Sequence, residues 1–205
     1  MLAVRRRPAE TRYRGLFPDW TGVRPVRWFF AEELLEARRG SAFPTNAAGP
    51  DEDVNIYLIH LLAGFLEGRT DPRVQPGAWP LLLPPDPAWP GRAQAEHYRV
   101  NGDHRLLMLG LMDRGDGLRR RREPWGVDPA RVRERDLAAG ATCYRLAANL
   151  AAGCRTTPPG LQDVLRRLGD GFEDYVHVLT ALATRRLGLG ARLSDGDLAR
   201  LLLVP

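Results

Sequence analysis

Lysine is absent from this 205-residue chain, and all 30 basic residues are arginine. By itself that choice favours recognition of phosphate or carboxylate, which the planar guanidinium fork binds in a bidentate way. Arginine, alanine, glycine and proline are abundant together, however, as a GC-rich genome imposes, and compositional bias is the stronger reading. Cysteine is nearly absent. Cys143 and Cys154 fall about three turns apart on one expected helix, ~16 Å along its axis, beyond disulfide reach. Both sit among small apolar residues and read as buried, reduced thiols. Long hydrophobic runs are missing too. The longest, residues 56–66, is interrupted by His60 and is about half the ~20 residues a membrane helix needs. No membrane partner is expected. The arginines near the start have no apolar stretch behind them, so neither a secretory nor a twin-arginine export signal is expected, and a cytoplasmic location follows as the default.

What is present points to a folded, helical protein. Apolar residues make up 44% of the chain, enough for one sizeable core, and the net charge of +5 permits an acidic partner without demanding one. Residues 1–25 form a basic, irregular arm, and 26–205 read as a single domain. The pattern predicts helices over 26–39, 51–68, 92–113, 128–153 and 161–187, with a short last helix capped by Ser194. In the second helix apolar residues cover most of the circumference, which places it mid-bundle. Only Asp53, His60 and Glu67 make a polar strip, and their spacing of seven puts them two turns apart. Residues 70–90 carry a proline every few positions, which forbids both helix and central strand. Trp79, Leu81, Leu82, Leu83 and Trp89 lie between the prolines and mark this stretch as an extended strap pinned to the core, with partner docking as the alternative. The fold class is therefore all-α: a single-domain bundle of five or six helices with a proline-rich strap.

The clearest periodicity lies in residues 161–182. Leu161, Leu165, Leu168, Phe172, Tyr175, Leu179 and Leu182 step by four and three, a heptad-like stripe that predicts one unbroken helix laid along another. The Thr-Pro-Pro connection is short, so an antiparallel partner within the chain, the small-residue helix before it, is favoured over a homodimeric coiled coil. Gly169 and Gly171 weaken the segment in isolation, and it needs a partner along its length. The register puts His177 opposite the seam. Asp174 and His177 resemble half of a di-iron bundle pair, but no second pair exists in the sequence.

Candidate chemistry is sparse. His104 and Met108, four apart on the third helix, are the one pair there with spacing to share a soft or borderline metal ion; His97 is too far along the axis to join them. Arg119, Arg120, Arg121 and Arg122, followed by Trp125, form the densest basic cluster. With the N-terminal arginines they could contact phosphates, with Trp125 stacking on a base. No nucleophile elbow, Walker loop, dinucleotide fingerprint or zinc-protease motif occurs, and no cofactor is implied.

The stretch Tyr98-Arg99-Val100-Asn101-Gly102-Asp103-His104-Arg105-Leu106, then Gly110-Leu111, resembles a signature of an uncharacterised family of all-helical bacterial proteins. Its pattern is aromatic-Arg-x-x-Gly-Asp-x-x-Leu, then Gly-aromatic-aromatic. The resemblance spans about residues 90–185 and departs at Leu111 and Met112, where aromatics are expected. It implies an all-α fold and carries no activity. The expected function is thus a non-catalytic interaction or scaffold protein with a protein partner. The alternatives are a nucleic-acid-binding accessory protein using the arginine clusters, and a helical-bundle metal or cofactor binder using His104.

Overall fold

Capping signals in the sequence mark several of the limits of six α-helices. The computed structural model describes residues 24–41, 52–69, 71, 85–112, 128–154 and 156–186. Its helices are α1 (Arg24–Gly40), α2 (Glu52–Leu66), α3 (Gly91–Leu107), α4 (Pro129–Ala152), α5 (Leu161–Asp170) and α6 (Phe172–Arg186). Among the described residues there is no strand, and no helix is long and apolar enough to cross a membrane. The fold is an all-α helical bundle. The arm before Arg24, residues 72–84 of the proline-rich segment and the expected helix after Ser194 lie outside the described residues.

The end of α2 and the starts of α3, α4 and α5 each have a local cause. α2 stops where Gly68 takes a positive φ of 64° and the Arg69 amide donates to the Gly64 carbonyl at 2.8 Å, a left-handed cap that a side chain would strain. α3 begins after a turn closed by Asp86, whose carboxylate accepts from the Ala88 amide at 2.8 Å and whose carbonyl accepts from Trp89 at 2.9 Å. α4 starts as the sequence signals: Asp128 accepts from the Ala130 amide at 3.0 Å, and Pro129 occupies the first helical position. Gly160, with φ 81°, turns the chain after Pro158 and Pro159 into α5.

Two departures from the expected helices stand out. The seam over 161–182 is not one helix. At Gly171 (φ −107°, ψ 27°) the chain leaves the α conformation for one residue, dividing the segment into α5 and α6. The break coincides with glycine, the residue that contributes least to holding a helix straight. All seven seam residues are nonetheless buried, and His177 is exposed. α5 lies against α4, whereas α6 turns toward α1 and the end of α3. The third helix also changes character, ending in a π-helical turn, Met108–Met112. A Cβ on Gly110 would stand 2.6 Å from the Leu179 Cβ, so the turn sits directly on α6. Asn101-Gly102, a pair that often marks a turn, lies here in continuous helix.

The core is one cluster drawn from every helix, including Phe30 and Leu34 of α1, Leu58 and Leu61 of α2, Leu106 of α3 and Leu179 of α6. Alanine and glycine on α4 let neighbouring helices approach closely. A Cβ on Gly140 would stand 2.2 Å from Cζ of Phe172, and Gly169 of α5 rests on the Ala141 carbonyl.

Candidate functional site

The polar groups inside the bundle gather on α3. Its mean composition is hydrophilic for a central helix, yet His97 and Asn101 to Arg105 are all buried. Buried polar groups require partners, and Asp103 finds two of its three on other helices.

Asp103 is the centre. It is 1% exposed, and three donors surround it. The Tyr57 hydroxyl of α2 donates to Oδ1 at 2.6 Å, the Tyr144 hydroxyl of α4 donates to the same oxygen at 2.8 Å, and Arg99 Nη1 pairs with Oδ2 at 2.5 Å. Arg99 and Asp103 are four apart, so one helix face supplies the ion pair. Arg99 reaches back one turn to Glu96, donating to both carboxylate oxygens at 2.5 and 3.0 Å, and its Nη1 also donates to the Tyr57 hydroxyl at 3.3 Å. The cluster thus runs from exposed Glu96 inward to a carboxylate held by α2, α3 and α4.

Gly102 makes the arrangement possible. A Cβ there would lie 2.9 Å from both Cδ1 and Cε1 of Tyr144. Without a side chain at 102, the Tyr144 ring lies flat against α3 and its hydroxyl reaches the neighbouring Asp103. The Arg-x-x-Gly-Asp pattern is therefore a helix-docking device: arginine neutralises, glycine admits the ring, and aspartate receives the hydroxyl.

The electrostatics follow from the burial. Desolvation pushes the Asp103 carboxyl above its ordinary range, opposed by Arg99 and by the two tyrosine hydroxyls. Burial, the Asp103 charge and Tyr57 push the Tyr144 phenol well up, so it remains a donor. Burial pulls the Arg99 guanidinium down, but Tyr57, Asp103 and Glu96 more than offset it, and the group stays charged. Removing one member of a buried pair typically costs ~3–5 kcal/mol because the other is stranded, although a well-packed apolar replacement of both can be neutral. The cluster fixes which faces meet, and its carboxylate is already saturated.

A second buried cation joins α1, α2 and α6. Arg38 is fully buried, donates from Nη1 to the side-chain Oδ1 of Asn55, and its Cζ lies 5.8 Å from the centroid of the Tyr175 ring.

The sequence-derived candidates are dispersed. His104 is buried on α3, and Met108, in the π turn, is partly buried against the core. Among the described residues no group of three or more His, Cys, Asp or Glu side chains is placed to hold a metal ion. Arg119, Arg120, Arg121, Arg122 and Trp125 lie outside the described residues. In the sequence Arg99, Gly102 and Asp103 stand out only through the family resemblance, which carries no role for them, and neither Tyr57 nor Tyr144 stands out. The spacing of Arg99 and Asp103 was the available signal; the tyrosines come from 46 and 41 positions away.

On the outside of α4, an open groove of about 580 Å³ runs along α5 and α6, floored by Leu137, Ala141 and Phe172. Arg145 and Asp170 on its edge pair with each other at 2.9 Å. Comparison with known proteins returned no matching family model, no matching curated protein and no matching solved structure.

Proposed function

We propose that this protein is a non-catalytic helical scaffold that binds a protein partner through the first turns of α1. The observation that carries this is the pair Trp28 and Phe29, 67% and 39% exposed, beside the buried Phe30. Aromatic side chains are enriched in binding hot spots and offer large contact areas at low entropic cost. The interior supports the same reading. Asp103, the most enclosed carboxylate described, already has both oxygens engaged, so its chemistry serves to join helices.

The test is affinity capture from the native host, under nuclease treatment, with wild type and a Trp28→Ala/Phe29→Ala double variant. Exposed positions away from caps and networks change stability by roughly ±0.5 kcal/mol, so the variant retains its fold by circular dichroism. A protein retained by wild type and lost by the folded variant supports the reading. Retention that is equal in both, or that disappears with nuclease, overturns it. In the latter case a salt-sensitive RNA or DNA shift that depends on Arg119, Arg120, Arg121 and Arg122 supports the nucleic-acid alternative.

A further inference from the structure

The two flanks of Gly102 differ. On one, Asp103 is saturated with donors. On the other, Arg105 is 6% exposed and has donors without an acceptor of its own. Nη1 makes one long contact, 3.5 Å, to the Asn101 carbonyl of its own helix, and buried Nε has no partner. Among the described residues no carboxylate pairs with it. A guanidinium remains charged inside a protein, and a buried charge calls for an anion. Asn101 adds a second observation. Its amide nitrogen donates to the His97 carbonyl at 2.9 Å, whereas its buried Oδ1 accepts nothing. Four residues apart, Asn101 and Arg105 share a face of α3. Across the seam stands Cys143 of α4, whose thiol burial pushes up and the Arg105 charge pulls down, so the two are within electrostatic reach.

We propose that Arg105 and Asn101 form a binding site for a phosphate group at the α3–α4 seam beside Cys143. The chemistry selects the ligand. Arg105 offers the forked donors that oxyanions accept. Asn101 Oδ1 offers an acceptor, which only an oxyanion carrying a proton can use. Phosphate near neutral pH has an O–H to donate; sulfate, of similar shape and charge, has none. A free carboxylate ion also lacks the proton. The site therefore takes inorganic phosphate, or a small phosphate monoester only as its singly protonated anion, and discriminates against sulfate.

The experiment is isothermal titration of the full chain with inorganic phosphate, methyl phosphate and sulfate at matched ionic strength. It is paired with N-ethylmaleimide labelling of Cys143, with Cys154, which follows α4 and donates to the Leu150 carbonyl, as the internal control. Wild type binds phosphate more tightly than sulfate, and phosphate slows labelling of Cys143 but not of Cys154. Equal binding of methyl phosphate assigns the site to phosphomonoesters as well; its exclusion assigns it to the free ion. Arg105→Met weakens phosphate binding roughly tenfold to a hundredfold, the equivalent of a charge-assisted hydrogen bond. Asn101→Ala retains anion binding but binds phosphate and sulfate alike. In phosphate-free buffer Arg105→Met is as stable as wild type or more so, because it removes an uncompensated charge. Absence of phosphate binding, equal sulfate binding by wild type, or binding that survives in Arg105→Met overturns the proposal. So does an Arg105→Met variant that unfolds in phosphate-free buffer, since that shows the Arg105 charge is already compensated within the chain.

Discussion

Replacing Gly102 with alanine sets two effects against each other. In an exposed helix interior, alanine is better than glycine by about 1 kcal/mol, and α3 runs continuously through position 102. Helix propensity alone predicts a more stable protein. The new methyl, however, would stand 2.9 Å from two ring carbons of Tyr144 and 3.1 Å from a third, where carbon contacts settle at about 3.5–4.0 Å. Tyr144 is fully buried and cannot swing into solvent. Either α3 and α4 separate by more than half an ångström or the ring tilts. Overpacking of this kind costs about 1–3 kcal/mol. A tilt also draws the hydroxyl off Asp103, a hydrogen bond to a buried charged group worth about 1.5–3 kcal/mol. The losses exceed the gain, and Gly102→Ala is destabilised by roughly 1–4 kcal/mol in urea denaturation at pH 7. The control reverses the sign. In a Tyr144→Ala background no ring opposes the methyl, and the same Gly102→Ala change stabilises by up to about 1 kcal/mol. If Gly102→Ala were neutral or stabilising in the wild-type background, the account of the Arg-x-x-Gly-Asp pattern as a docking device would fail.

Three further perturbations probe the same architecture. Asp103 is held above its ordinary range, so the folded chain binds this proton more tightly than the unfolded one. Its contribution is full below ~3.9 and is lost as pH rises through the raised value, by at most ~1.4 kcal/mol per pH unit. The stability of wild type relative to Asp103→Asn therefore declines as pH rises from about 4, by urea titration at several pH values; a relative gain over that range contradicts the assignment. Gly140→Ala places a methyl 2.2 Å from Cζ of buried Phe172, and a loss at the upper end of ~1–3 kcal/mol is expected, partly restored by Phe172→Leu; an unchanged melting temperature shows that α4 and α6 are less tightly apposed. Asn55→Ala removes the side-chain acceptor of fully buried Arg38, for an expected loss of about 1.5–3 kcal/mol; a loss below ~0.5 kcal/mol means that the Arg38 guanidinium is held mainly by its other contacts.

The seam of Leu161, Leu165, Leu168, Phe172, Tyr175, Leu179 and Leu182 was legible because apolar periodicity follows from one rule: each seam side chain must leave water. The Asp128-Pro129 start was equally plain, since its cap is satisfied within three residues. The break at Gly171 was not. Glycine weakens a helix in any context, but whether the chain bends there depends on what each half packs against. Here α5 lies on α4, and α6 turns to α1 and the π turn. The polar centre escaped for a related reason. Arg99 and Asp103 are helical neighbours and their pairing could have been read from spacing, but tyrosine is ambiguous in a sequence, a hydrophobic body with a polar tip. Nothing local to Tyr57 or Tyr144 signals a carboxylate.

By itself, then, the sequence determined the all-α class, most helix limits, the buried stripe of α5 and α6 and the exposure of His177, because propensity, capping and periodicity act over a few residues. Only the tertiary structure decided that Gly102 is a seat for the Tyr144 ring and that two distant tyrosines converge on one Asp103 oxygen. It also decided that Arg105 stands buried on the opposite flank of the same helix. Hydrogen-bond partners and desolvation are set by which faces meet, and that is a property of the packed bundle, not of any one segment.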